Sequence, residues 1–514
     1  MKKTIAMFLS ALLLFSGCSS PQTNGESTSE TAAQGMESQG AETTAATGTT
    51  AGEKTAASVK LDPKNPVTIT VWHYYNGSQK SAFDEMVSEF NQTKGAEEGV
   101  FVESYNQGNV TQLEDSVKAS ISKEVGSSEV PNIFASYADT AYEVEKMGYL
   151  VDLGQYMTEA EIAEYVDSYI EEGRIGTGGE LKIFPTAKSS EIFMLNKTEW
   201  DTFSAETGAS MDDLKTKEGL VKVAEQYYNW TDAKTPEPGD GKAFYGRDAM
   251  ANLFIVGSMQ LGHEIFHVEN QTVTLDVDRD VMKKIWDFYY VPYVKGYFSA
   301  YAKFRSDDVK IGEIIALTGS TTSATYFPDT VEMEDGSSHP IEAVSLPTPV
   351  FEGGANYEVQ QGAGMVVTKS TPEQEYASVV FLKWFTEADR NLEFSSGSGY
   401  LPVKKGVATK ENLDRILEEK KIEIGPKAYD ALLISYDRSS EAALYTNKAF
   451  DGGVKARKVL EYNLSDKAAA DREAVLADLA AGKSVEEALA PYLTEENFET
   501  WFVQFQQALE DAVK

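Results

Sequence analysis

The strongest constraint on the fold lies in residues 67–136, where strand and helix signals alternate. The β-rich run Val67-Thr68-Ile69-Thr70-Val71-Trp72 follows Pro66 and leads into the polar turn His73–Ser78. Phe83, Met86, Val87 and Phe90 then fall at helical spacing. A second strand, Val100 to Tyr105, precedes a helix from Val110 to Ile121, and Pro131 to Ser136 reads as a third strand. Strand–helix–strand–helix–strand with short polar links is the pattern of a parallel α/β sheet. Such sheets bind ligands at the carboxyl ends of their strands, so the loops opening at His73 and Ser136 are the first places to look.

At 514 residues the chain is too long for one ordinary core. The centre is more helical: 214–230, 249–261 and 281–290 each carry apolar residues at helical spacing. Two buried strands are expected, Ile314 to Thr318 and Gly364 to Thr368, and a helix over 374–386. From about Ala408 the sequence is mainly helical and strongly charged. Charge decides what such a body can meet. With 46 Lys and Arg against 81 Asp and Glu, it is unsuited to nucleic acid or to an anionic membrane surface. A single Cys excludes an internal disulfide and multi-Cys metal sites.

That Cys has a context. Met1-Lys2-Lys3, an apolar run from Ile5 to Phe15 and the small residues Ser16-Gly17 before Cys18 have the form of a secretory signal. Phe15-Ser16-Gly17-Cys18 resembles the bacterial lipobox, which implies lipidation of Cys18 as the first mature residue. Lipid chains would supply membrane anchoring that the acidic body cannot. Residues 19–58 hold no aromatic side chain and only Met36 as a large apolar one, which predicts a flexible tether reaching roughly 35 Å.

Several segments, in order, resemble the family 1 extracellular solute-binding proteins of ABC importers. They are Val71-Trp72-His73, Pro131-Asn132-Ile133-Phe134, Gly148 to Leu153, Phe184-Pro185, Ile192 to Lys197 and Gly399-Tyr400-Leu401-Pro402-Val403. The likeness covers roughly 66–405, and Gly482 to Leu489 is similar to the family's closing helix. It implies an α/β fold of two periplasmic-binding-protein-like lobes, each a mainly parallel sheet flanked by helices, with a helical C-terminal region. The boundaries expected are a signal at 1–17, a tether at 18–65, lobe one at 66–187 and 326–385, and lobe two at 188–325 and 386–514. The chain would cross between lobes near Ala187, Thr325 and Phe385. The implied function is capture of a sugar or oligosaccharide between the lobes and its delivery to the transmembrane subunits of an ABC importer. The protein is expected to act as a monomer on the outer face of the cell membrane, with no cofactor and no resident metal.

A sugar site needs aromatic platforms beside hydrogen-bonding groups. Tyr74, Tyr75 and Asn76 follow the first strand, and Tyr137 and Asp139 follow the third. The resemblance adds Ser189 and Ser190, then Ser320 and Thr321 with Thr322, then Glu358, Gln361 and Gly362, and Tyr400. Glycerol phosphate or a glycerophosphodiester is the alternative ligand. Phosphate needs cationic donors, and Ala138 beside Tyr137, with Arg438 alone in the tail loop, argues against it.

An enzyme is the competing class. His263-Glu264-Ile265-Phe266-His267 matches H-E-x-x-H, the pattern of a zinc hydrolase. Zinc needs both His on one helix, one turn apart. Gly262 ends the preceding helical run and Ile265, Phe266 and Val268 favour a strand, which would part the two His by roughly 13 Å. Asp276-Val277-Asp278 opens like a calcium loop, but Val281 stands where the sharp turn needs Gly. No spacing singles out a carboxylate pair for glycoside hydrolysis. No catalytic residue is therefore assigned.

Overall fold

The computed structural model describes residues 59–269, 272–333 and 336–514. Cys18 and the expected signal and tether, up to residue 58, lie outside the described residues.

Two sheets anchor two lobes. The first has the order Val100–Asn106, Val67–His73, Ile133–Ser136, Gly364–Val367, Ile183–Phe184. Its first three strands are parallel, as the alternating pattern predicts, and Gly364–Val367 runs antiparallel between Ile133–Ser136 and Ile183–Phe184. The helix Gly77–Gln92 covers one face with Phe83, Met86, Val87 and Phe90, the four residues whose spacing announced it. Phe83 and Phe90 meet Phe381, Trp384 and Phe385 of helix Pro372–Phe385 and Phe394 of helix Ala388–Ser398 edge-on or tilted, with centroids 5.1–6.4 Å apart. Helix Val110–Ile121 starts where Asn109 and Gln112 form a reciprocal capping box.

The second sheet has the order Ala343–Leu346, Glu191–Asn196, Ala316–Ser320, Tyr245–Arg247, and mixes antiparallel with parallel pairs. Its core holds Phe193, Leu195, Phe244 and Tyr245 with the helices Lys217–Asp232, Met250–Gln260 and Arg279–Lys295. The last helices of the charged C-terminal region build onto this lobe. Helix Gly453–Ala480 runs 28 residues, about 42 Å. With helix Glu495–Ala512 it closes an aromatic seam in which Trp286 meets Phe498 and Trp501, and Phe254 stacks on Phe505.

Three segments cross between the lobes side by side. Ser189 exchanges backbone hydrogen bonds with Gln361 at 2.8 and 3.0 Å, and Lys188 does so with Leu401 at 3.1 and 2.6 Å. The sequence expectation puts the first crossing near Ala187, next to the paired Lys188 and Ser189. The other two differ from the sequence expectation, which put them near Thr325 and Phe385. Strand Ala343–Leu346 stays with the second sheet, and helix Ala388–Ser398 packs on the first lobe through Phe394. Both segments carry strong local signals for their type, but pairing partners are long-range facts that periodicity does not contain.

Candidate functional site

The lobes face each other across the carboxyl ends of Val67–His73 and Ile133–Ser136, where the parallel-sheet rule looks for a ligand. Three of the expected tyrosines meet there. The Tyr74 hydroxyl interacts with the hydroxyls of Tyr137 and Tyr400, and burial together with these neighbours holds all three phenols well above their ordinary pKa. Tyr400 stacks on Phe394, with centroids 6.1 Å apart.

Asp139 lies in the first turn of helix Ala138–Lys146. Its Oδ1 is buried with no hydrogen-bond partner among the described residues. Burial raises its pKa to about 6, against the opposing pull of Arg457. The second lobe approaches this carboxylate through the N-terminus of helix Gly453–Ala480. A Cβ on Gly453 would stand 2.4 Å from Asp139 Oδ1, so a larger residue there would require the carboxylate to shift. Lys146 pairs with Asp451 beside it, which ties the lobes together at the same edge.

Behind Asp139 lies a polar network of the second lobe. Arg457 donates to Asn252 Oδ1 at 2.9 Å. Asn252 Nδ2 in turn donates to Glu191 Oε1 and to Gln361 Oε1, both at 3.0 Å. Arg247 donates to the same Glu191 oxygen at 2.8 Å. Gln361 completes the chain by donating to the Ser190 carbonyl at 2.9 Å, and the Ser190 hydroxyl is itself buried without a partner among the described residues.

A cavity of about 560 Å³ opens between the lobes beside this network. The first lobe contributes Tyr142, Glu172 and Arg174, the second Glu264, Tyr445 and Asn447, and Gln360 lies on the crossing segment. Glu172 accepts from Lys188 Nζ at 2.6 Å, and the same ammonium donates to the Gly362 carbonyl at 2.9 Å. Gln360 donates to Ser168 O at 3.0 Å and to Glu172, which leaves its Oε1 buried and unpartnered among the described residues. Unpartnered acceptors at Asp139 and Gln360 suit a ligand rich in O–H or N–H donors.

The remaining sequence candidates are placed otherwise. Tyr75 is 2 % exposed and packs against His73, Phe83 and Phe394 in the first core, because it continues the inward phase of its strand. Asn76 is exposed and holds its loop by donating to the Tyr74 and Gly108 carbonyls at 2.8 and 3.1 Å. Glu358 is buried away from the cleft, bound by Arg438 at 2.9 and 2.7 Å and by Thr348. Its local sequence resembles a ligand loop, but strand Tyr357–Val359 pairs with Ala443–Tyr445 and carries the side chain inward. Thr321 bridges the lobes by donating to the Gly399 carbonyl at 3.1 Å, and Ser320 caps the turn that follows its strand. Ser189 serves through its backbone. Gly362, at φ +93°, allows the crossings to touch, since a Cβ would meet the Ala187 carbonyl at 2.9 Å. Asn252, Arg457, Glu172 and Gln360 were missed, as each lies on an element with no motif of its own.

His263 and His267 are not on a helix: His263 follows the turn at Leu261-Gly262 and His267 lies on strand Phe266–Glu269. Both imidazoles nonetheless reach Asp276 Oδ2, at 3.3 and 3.9 Å, so they sit closer than a continuous strand would put them. The chain bends at Ile265, between the two His, which the expectation of a continuous strand did not include. Among the described residues, no set of three or more His, Cys, Asp or Glu is posed to hold a metal ion.

Residues 85–419 match the profile of the family described as bacterial extracellular solute-binding protein. The chain belongs to that family. This solute-binding protein is also similar to several solved structures. The cyclic α-maltosyl-1,6-maltose binding protein from Arthrobacter globiformis is 20% identical with TM-score 0.62, covering 88% of this chain and 100% of its own. The ABC substrate-binding protein Lmo0181 from Listeria monocytogenes, in complex with cycloalternan, is 14% identical with TM-score 0.61, covering 87% and 100%. UgpB from Mycobacterium tuberculosis, in complex with glycerophosphocholine, is 16% identical with TM-score 0.60, covering 87% and 98%. At these identities the likeness establishes the two-lobed fold. No curated protein matches the sequence.

Proposed function

We propose that this solute-binding protein captures a neutral sugar or oligosaccharide between its lobes and delivers it to an ABC importer without altering it. The observation that carries the reading is the interlobe cluster itself. Tyr74, Tyr137 and Tyr400 offer rings and hydroxyls, while Asp139 and Gln360 offer buried acceptors without partners. Sugars present an apolar ring face and a rim of donors, which matches this set. The solved relatives bound to cycloalternan and built for a maltosyl-maltose support the same class. A glycerophosphodiester, the class bound by UgpB, fits less well. Arg438 is committed to Glu358, and Arg457, which faces Asp139 and Tyr137, is engaged by Asn252. The roles of Ser190 and Gln361 are to fix the network beneath the ligand.

A calorimetric and thermal-shift screen of the purified chain against maltodextrins, cyclic glucans and glycerophosphodiesters tests the reading. A saccharide should stabilise the native state by mass action, by about 2.7 kcal/mol at a hundredfold excess over Kd, and so raise the melting temperature. The bound saccharide should be recovered intact, whereas stabilisation by the phosphodiesters alone would replace this reading with the alternative.

The anchor belongs to the same proposal: lipidated Cys18 holds the body outside the cell membrane. No described helix is long and apolar enough to cross a membrane. Cys18→Ser is expected to shift the protein from the membrane fraction to the medium, and membrane retention without lipid labelling would refute the assignment.

A further inference from the structure

The strand-end rule that points to Tyr74 and Tyr137 in the first lobe applies equally to the second. Strands Tyr245–Arg247 and Ala316–Ser320 run parallel, so both end at one edge of their sheet. That edge faces the first lobe, because Ser320 pairs with Glu191, two residues beyond the crossing at Ser189. Two loops leave it: Asp248-Ala249 after the first of these strands, and the turn Thr321–Thr325 with Tyr326 after the second.

Both loops are held in place. Buried Arg247, paired with Glu191, donates to the Asp248 and Ala249 carbonyls, each at 3.2 Å. Ala249 is left-handed at φ +50°, a strain that a residue other than glycine bears only where its surroundings impose it, and such strain gathers at ligand sites. The Asp248 carboxylate is fixed at one oxygen alone. The Arg305 backbone N–H and guanidinium reach Oδ1 at 3.3 and 3.5 Å, and Arg305 is itself pinned by Asp308. Oδ2 has no hydrogen-bond partner among the described residues, nor has the Ser323 hydroxyl. Gly319 lets the two converge, since a Cβ there would stand 2.6 Å from Ser323 Oγ and 3.3 Å from Asp248 Oδ2. The turn is tied across the lobes, where Thr321 donates to the Gly399 carbonyl and a Cβ on Gly399 would meet Thr322 at 3.0 Å. At its end Tyr326 extends over Gly77, the first residue of helix Gly77–Gln92 in the first lobe. Its hydroxyl lies 3.3 Å from where a Gly77 Cβ would stand. Burial is the main reason Tyr400 stays well above its ordinary pKa, and Tyr326 is among the phenols that add to it. The Tyr326 ring is nonetheless 48 % exposed. A half-exposed ring of one lobe that touches the other stands in the gap between them, not on an outer face.

We propose, resting on the saccharide reading of the cleft, that Asp248, Ser323 and Tyr326 are the second lobe's half of the sugar site, opposite the Tyr74–Tyr137–Tyr400 cluster. Asp248 Oδ2 accepts from one sugar hydroxyl, the Ser323 hydroxyl bonds its neighbour, and Tyr326 covers the ring. The same carboxylate disfavours a phosphodiester, because the nearby Arg247 and Arg305 are already paired with Glu191 and Asp308.

Calorimetry of the purified full chain with maltotriose, maltohexaose, cellotetraose, mannotetraose and glycerophosphocholine tests the proposal. Whichever saccharide binds the parent should bind Tyr326→Ala and Asp248→Asn at least tenfold more weakly. The ligand-free melting temperature of Tyr326→Ala should stay in place, since its ring is half-exposed. If Asp248→Asn melts early, Ser323→Ala, which leaves the Arg305 contacts untouched, takes its place. Hydroxyl-radical footprinting gives a second readout: the saccharide should protect Tyr326 and leave Tyr462, 56 % exposed on helix Gly453–Ala480, reactive. The proposal is overturned if either variant binds within twofold of the parent. Protection of Tyr326 without loss of affinity in Tyr326→Ala overturns it too, since the closing lobes would then merely cover the ring. In either case a loss of binding in Tyr137→Ala leaves the cleft reading standing and removes only the second-lobe half. If none of the saccharides binds the parent, both fall.

Discussion

Replacing Arg438 by Met is expected to destabilise the second lobe by about 3–5 kcal/mol at neutral pH, the range for removing one partner of a buried pair. Glu358 is 3 % exposed and depends on Arg438 for two hydrogen bonds, at 2.9 and 2.7 Å, with Thr348 as its other partner. Burial already raises the Glu358 pKa, and Arg438 is the main influence that draws it back. Without the guanidinium the folded-state pKa rises further above the unfolded value. A carboxylic acid raised in this way favours the fold while protonated and loses that contribution as pH rises through its folded pKa. The deficit of Arg438→Met should therefore be greatest at neutral pH and shrink on acidification. Adding Glu358→Gln should recover most of it, because the amide carries no charge to leave unpaired. Melting curves of the parent and the two variants at pH 5 and pH 7 check the claim. A single variant that melts with the parent at pH 7 would show that the pair contributes nothing.

The contrast between Glu358 and Asp139 shows where the sequence was legible. The helix of Phe83, Met86, Val87 and Phe90 and the strand of Ile69 and Val71 carry their structure in their periods, and each forms as read. The strand-end rule then leads to Tyr74, Tyr137 and Asp139, which the fold brings to the interlobe cluster. It cannot distinguish Tyr74 from Tyr75, whose rings lie 5.6 Å apart, the first half-buried and the second fully buried. Glu358 looked like a ligand carboxylate because its only visible context was the Gly364 strand after it. The Arg438 that neutralises it lies eighty residues on, where only folding brings it near. Arg457 and Asn252 were illegible for the same reason. A lone Arg in a charged helix reads as a solvated residue until Gly453 is seen to bring that helix against Asp139.

Neighbouring tyrosines separate packing from recognition most sharply. Tyr75→Ala should cost about 3–5 kcal/mol of stability, as large aromatic truncations in cores do. Its ring touches His73, Phe83, Phe394 and Tyr400, with centroids 5.1–6.1 Å away, and no collapse of the loop refills that volume. Tyr137→Ala should cost little stability by comparison, since Tyr137 is half-buried and precedes its helix without capping it. It should instead weaken saccharide binding by about 1–3 kcal/mol, the worth of a stacking platform with its hydroxyl. That is a loss of roughly ten- to hundredfold in affinity. Tyr74→Ala should behave like Tyr137→Ala, because its hydroxyl joins the same cluster. Tyr137→Phe should recover the part due to the ring and leave the part due to the hydroxyl. Calorimetry of each variant with the saccharide found in the screen, and melting measured in parallel without it, gives both quantities for every tyrosine. Should Tyr137→Ala and Tyr74→Ala each change Kd by less than about twofold, which is under 0.5 kcal/mol, the ligand does not stand on this cluster. The 560 Å³ cavity lined by Tyr142, Glu172 and Tyr445 would then hold it alone.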